Sequence, residues 1–97
     1  MSGFGKSTKK LVLTLFTHAE CQLCVRAKAN LAKVNEKIPF TIYEVDIKAP
    51  ENKKWFDEYR YDVPVVHANG KFLLWHQVDV PRAIEKLQEI TKESKQS

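Results

Sequence analysis

Hydrophobic and polar positions change period several times along the chain, and each change marks an element. Residues 11–16, Leu-Val-Leu-Thr-Leu-Phe, are nearly all apolar, the pattern of a strand covered on both faces. From Cys21 onward, apolar residues return at Cys24, Ala27, Leu31, Val34 and Ile38. That spacing predicts a helix with one buried stripe, closed by Pro39. Residues 40–47 alternate and are rich in β-branched and aromatic side chains, so they read as a second strand. Ala49-Pro50-Glu51 opens a short helix, with Trp55, Phe56 and Tyr59 on its inner face. After Pro64, residues 65–68 and 71–75 flank Asn69-Gly70, the strongest short-range hairpin signal there is. Asp79 is placed to cap a last helix that buries Val80, Ala83, Ile84, Leu87 and Ile90.

The resulting order is β-α-β-α-β-β-α. Its first β-α-β unit must be a right-handed parallel crossover, and the hairpin adds an antiparallel pair. The expected fold is therefore α/β, a four-stranded mixed sheet with helices on both faces. Ninety-seven residues make one domain. We place it at residues 11–90, between a flexible basic N-terminal tail (1–10) and a frayed polar C-terminal tail (91–97).

Composition narrows the classes. An apolar share of 43% and a charged share of 29% suit an ordered globular protein. The net charge of +4 is spread without a block of five like charges. It reads as a solvated basic surface rather than a nucleic-acid interface. No run approaches the roughly 18 apolar residues of a membrane span. The first ten residues lack a secretory signal's apolar stretch. The cytoplasm is the expected compartment, with the mitochondrion as the alternative that Lys, Ser and Thr in that segment suggest. We expect a monomer.

Candidate chemistry centres on Cys21-Gln22-Leu23-Cys24, which holds both cysteines of the chain. A helix N-terminus offers unpaired N–H groups and the positive end of the dipole, and both favour a thiolate at Cys21. Cys24 lies on the apolar stripe and should be more buried. That asymmetry suits thiol–disulfide exchange, with Cys21 attacking a disulfide and Cys24 then releasing the product. A CxxC pair also serves zinc and copper sites or a purely structural role. A structural zinc site needs four ligands, and His18, His67 and His76 form no His-x₃₋₅-His pair. CxxC beside a β-α-β pattern favours redox chemistry. His18 is a candidate donor to the Cys21 sulfur or to a substrate carboxylate. His67 reads as a structural residue, and Leu23 and Trp75 as an apolar rim. Glu20 puts an acid beside Cys21, which should oppose thiolate formation.

Three segments together carry a resemblance: Phe16-Thr17-His18-Ala19-Glu20-Cys21-Gln22-Leu23-Cys24, Asp62-Val63-Pro64, and Asn69-Gly70-Lys71-Phe72. In order and spacing they resemble the glutaredoxins of the thioredoxin-fold superfamily, over roughly residues 11–90. The resemblance implies a thioredoxin-like fold and a dithiol oxidoreductase with Cys21 as nucleophile and Cys24 as resolving thiol. It further implies that Val63 and a cis Pro64 face the dithiol, with substrate bound among His18, Leu23, Val63 and Pro64. The implied substrates are disulfide-containing proteins or glutathione mixed disulfides. No tightly bound cofactor is implied, and glutathione is the implied reductant. The chain departs from the pattern at His18, at Gln22-Leu23, at Asp62 and around Leu74-Trp75-His76, where a Gly-Gly pair would cradle glutathione. These departures bear on glutathione more than on the dithiol. The alternative is an adaptor or a redox- or metal-sensing module of the same fold, without efficient turnover.

Overall fold

A computed structural model describes residues 11–96. The expected N-terminal tail, 1–10, lies outside the described residues. The elements follow the expected order: β1 (Val12–Thr17), α1 (Gln22–Lys37), β2 (Thr41–Asp46), α2 (Lys53–Tyr59), β3 (Val65–Ala68), β4 (Lys71–Trp75) and α3 (Val80–Gln96). The Pro50 helix start takes the form of a single 3-10 turn, Pro50–Asn52, leading into α2. The strands lie in the order β2-β1-β3-β4. β1 runs parallel to β2 and antiparallel to β3, and β3 and β4 form the hairpin.

β1 is central because its side chains serve both faces. Leu13 and Leu15 are fully buried on one face with Val66, beneath Ala27, Leu31 and Val34 of α1 and Ala83 and Leu87 of α3. Phe16 points the other way, where it meets Ile47, Val65 and the inner face of α2 at Trp55, Phe56 and Tyr59. Coverage on that second face is partial. The seven-residue α2 reaches only the C-terminal end of β1, so Val12 and Thr14 remain half-buried. β2 is an outer strand, and Ile42 and Tyr43 on it are exposed.

The turn chemistry is that of a two-residue hairpin. Asn69 and Gly70 have φ of 52° and 84°, the two positive values that a type I′ turn requires. Asn69 also extends the sheet: its N–H donates to the Val12 carbonyl at 2.7 Å, and its Oδ1 accepts from the Val12 N–H at 2.9 Å. Asn30 on α1 donates to the Val78 carbonyl at 2.9 Å, tying α1 to the loop before α3.

One boundary differs from the sequence reading. α3 continues to Gln96, through most of the segment read as a frayed tail. The apolar stripe ends at Ile90, but Lys, Glu and Gln beyond it are good helix formers and no Gly or Pro intervenes. Among the described residues, no helix is long and apolar enough to cross a membrane.

Leu31 is 2% exposed, within the α1–sheet–α3 core. Leu31→Ala should lower unfolding free energy by about 2–5 kcal/mol, read from urea denaturation followed by circular dichroism. Val25→Ala, at a position 62% exposed, should change it by less than about 0.5 kcal/mol.

Candidate active site

The β1–α1 loop delivers Cys21 in extended conformation, φ −97° and ψ 111°, as the N-cap of α1. Ser, Asp or Asn usually fills this position, because the first turn of a helix has N–H groups without partners. Here a sulfur does so: Cys21 Sγ accepts the Cys24 N–H at 3.1 Å. A thiolate accepts such a bond more strongly than a thiol does. The helix thus starts one residue later than the apolar periodicity suggests, which leaves Cys21 part-exposed at its tip.

Cys24 sits one turn further on and is 2% exposed, packed with Phe16, Ile47, Val63 and Val65. Burial pushes its thiol above the ordinary value. The neighbouring Cys21 adds to the shift, while the Thr17 hydroxyl and the His18 backbone partly oppose it. Both cysteines are free thiols. Both line an open cleft of about 290 Å³ whose walls include Thr17, His18, Lys28 and Asp46.

His18 belongs to this cleft, as expected. Its Nδ1 accepts the Glu20 N–H at 3.3 Å, so the neutral ring carries its proton on Nε2 and can donate from there. Glu20 departs from expectation, because it is not a bare acid beside the nucleophile. Lys48 Nζ lies 2.9 Å from its carboxylate and, by hydrogen bond and charge, holds Glu20 below the ordinary carboxylate range. Lys48 is the site residue that sequence reasoning missed. It stands 28 positions from Glu20 and is brought near by the turn after β2, where its N–H donates to Asp46 Oδ1 at 3.0 Å.

The Val63–Pro64 peptide is cis, and both side chains are buried. Val63 packs in the same cluster as Cys24. The Val63 N–H donates to the Tyr59 carbonyl at 3.2 Å, and the Pro64 carbonyl accepts the His76 N–H at 2.7 Å. Leu23 does not share the cleft of the sulfurs. It lines a separate depression with Arg26 and His76, and Trp75 lines a third. The structure thus gathers His18, Cys21, Cys24 and Val63 but does not join Leu23 and Trp75 into one rim.

Behind Cys24 lies an aromatic floor. Phe16 contacts Trp55 and His67 at ring-centroid distances of 4.7 Å, and Tyr59 at 5.2 Å. The Tyr59 hydroxyl and His67 Nε2 form a hydrogen bond of 2.8 Å, which satisfies His67 in the structural role read from the sequence. Burial raises the Tyr59 phenol, with the Glu58 and Asp62 charges adding to the effect. Burial lowers the His67 imidazole, and Glu58 opposes that shift only in part. Among the described residues, no group of three or more His, Cys, Asp or Glu side chains could hold a metal ion.

The arrangement is that of the thioredoxin fold. Thioredoxin-2 of the malaria parasite superposes with a TM-score of 0.63 at 17% identity, over 82% of each chain. Oxidised thioredoxin O2 from Arabidopsis thaliana gives 0.62 at 22% identity, over 84% of this chain and 76% of that one. At the level of sequence, residues 12–88 match the Glutaredoxin-like domain family (DUF836). A curated relative from Dictyostelium discoideum, "Glutaredoxin-like protein YDR286C homolog", is 34% identical over 89 residues, 88% of this chain and 82% of that protein. The chain belongs to this glutaredoxin-like family and has the thioredoxin fold, and together these support a redox-related role.

Two outcomes follow from the geometry. His67 has its folded-state pKa lowered, so below the ordinary His range of about 6.5 the unfolded chain binds the extra proton first. Stability should then fall with falling pH from that value down through the folded one. Denaturation midpoints from pH 7.5 to 5 should show this slope, and His67→Gln should flatten it. Separately, Lys48→Ala leaves Glu20 uncompensated beside Cys21. Alkylation of Cys21 by iodoacetamide at fixed pH should slow about two- to threefold, with Lys48→Arg or an added Glu20→Gln restoring the rate.

Proposed function

We propose that this protein is a thiol–disulfide oxidoreductase acting on protein disulfides or glutathione mixed disulfides. The observation that carries the reading is the pairing of unlike thiols. Cys21 is exposed enough to meet a disulfide and its sulfur receives a backbone hydrogen bond, while Cys24 is buried behind it and holds its proton more tightly.

In this reaction the Cys21 thiolate attacks one sulfur of the substrate disulfide. A Cys21–substrate bond forms, the substrate S–S bond breaks, and the first substrate thiolate leaves and takes up a proton. Cys24 then loses its proton and attacks Cys21 Sγ. The Cys21–Cys24 disulfide forms and the second substrate thiol departs, so two electrons have passed from the dithiol to the substrate. We assign His18, which lines the same cleft, to steadying the leaving sulfur or a substrate carboxylate, and Val63 and Pro64 to substrate binding. A thiol reductant, with glutathione as our candidate, returns the dithiol to its reduced state and is itself oxidised to a disulfide. No tightly bound cofactor and no second subunit enter this scheme.

Reduction of hydroxyethyl disulfide or of an insulin disulfide, coupled to a reductant, tests the reading. Cys21→Ser should abolish turnover. Cys24→Ser should accumulate the mixed disulfide on Cys21, visible as an added mass equal to one substrate thiol. A wild-type chain with no turnover on either substrate would instead favour the adaptor or sensing role.

A further inference from the structure

Two open depressions besides the sulfur cleft meet end to end. One, of about 240 Å³, is lined by Leu23, Arg26, His76 and Asp79. The other, of about 270 Å³, is lined by Trp75, Asp79, Arg82 and Lys86. Gln77 and Asp79 belong to both. They therefore form one track, which starts at Leu23, inside the dithiol turn, and ends between β4 and α3.

The track has a distinct chemistry. Arg26, Arg82 and Lys86 face it against the single carboxylate of Asp79, and none of the three cations is in an ion pair among the described residues. In the sulfur cleft, by contrast, Lys28 is paired with Glu44 at 3.3 Å. Trp75 is 49% exposed, giving an apolar plate at the far end. β4 is an outer strand, so its free backbone edge can receive an extended segment, as sheet edges do. The middle of the track is held in an unusual backbone state. His76 has φ of 67° without being glycine, and its N–H is tied to the Pro64 carbonyl at 2.7 Å. Left-handed backbone at a non-glycine residue persists where the surroundings enforce it, and such positions cluster at binding sites.

The geometry points to a docking track for one kind of partner: an extended, acidic polypeptide segment carrying an aromatic or apolar side chain, flanking the cysteine of a protein disulfide. This rests on the oxidoreductase reading for its purpose, but the surface can be tested without it. The acidic residues of the segment meet Arg26, Arg82 and Lys86, and its apolar side chain lies on Trp75.

The experiment uses three synthetic peptides with one Phe and one cysteine, the latter linked by a disulfide to a chromogenic aromatic thiol. Their flanks are acidic, neutral or basic. The acidic peptide should be reduced with a kcat/KM about fivefold above the neutral one, and the basic peptide should fall below both. The double variant Arg82→Glu, Lys86→Glu should invert the order. Equal rates for the three peptides would overturn the proposal. In parallel, a cysteine-free acidic peptide is titrated into ¹⁵N-labelled protein. Shifts gathered at residues 75–79 and 82–86 support the track. Shifts elsewhere, none at all, or the same shifts produced by raising protein concentration without peptide, which would indicate a second copy of the chain, overturn it. Failure of every substrate to be reduced, with the titration shifts present, would sink the oxidoreductase reading and leave the docking surface standing.

Discussion

A single backbone hydrogen bond, from the Cys24 N–H to Cys21 Sγ, determines what the rest of the site can do. It does two things at once. It satisfies a donor that helix α1 would otherwise leave open, and it fixes the sulfur over the positive end of the helix. The bond exists because Cys21 stays extended while residue 22 turns helical. That switch depends in turn on the loop behind it, where the Cys21 N–H donates to the His18 carbonyl at 3.3 Å and Glu20 is pinned by Lys48. Chemistry and helix initiation share the same atoms.

The contrast between the two thiols is a packing effect. Cys24 owes its burial to Phe16, Ile47, Val63 and Val65, which come from β1, the turn after β2, and β3 with the segment before it. Three separated pieces of chain converge on one sulfur. A core substitution in that set alters the desolvation of Cys24, which is the largest influence on that thiol.

What could be read from the sequence was local, and what could not was long-range. The α1 stripe, the Asn69-Gly70 hairpin and the dithiol at a strand-to-helix turn each announce themselves within a dozen residues, and each stands where expected. The Glu20–Lys48 pair and the tying of His76 to Pro64 span 28 and 12 positions, and no periodicity reports them. Leu23 shows the limit clearly. Its place between the cysteines suggested the sulfur cleft, but the 100° step of a helix turns it toward Arg26 and His76. The extension of α3 to Gln96 was hidden for another reason: a helix can outlast its buried face wherever propensity alone sustains it.

The strand order β2-β1-β3-β4 carries a consequence for how the molecule is made. β1 is translated first, yet its antiparallel partner is β3, and Leu13 pairs with Ala68, 55 residues later. The sheet cannot be completed until β4, which ends at Trp75, has been synthesised, so its closure waits on pairings distant in sequence. Throughout that interval the thiol that ends up most sheltered has no Val63 or Val65 to cover it, and both cysteines are open to solvent. Oxidation of Cys24 to a sulfenic acid at that stage would place a polar group where the finished core packs a thiol. The topology thus ties correct assembly of this protein to the reducing power of the surroundings in which it is synthesised.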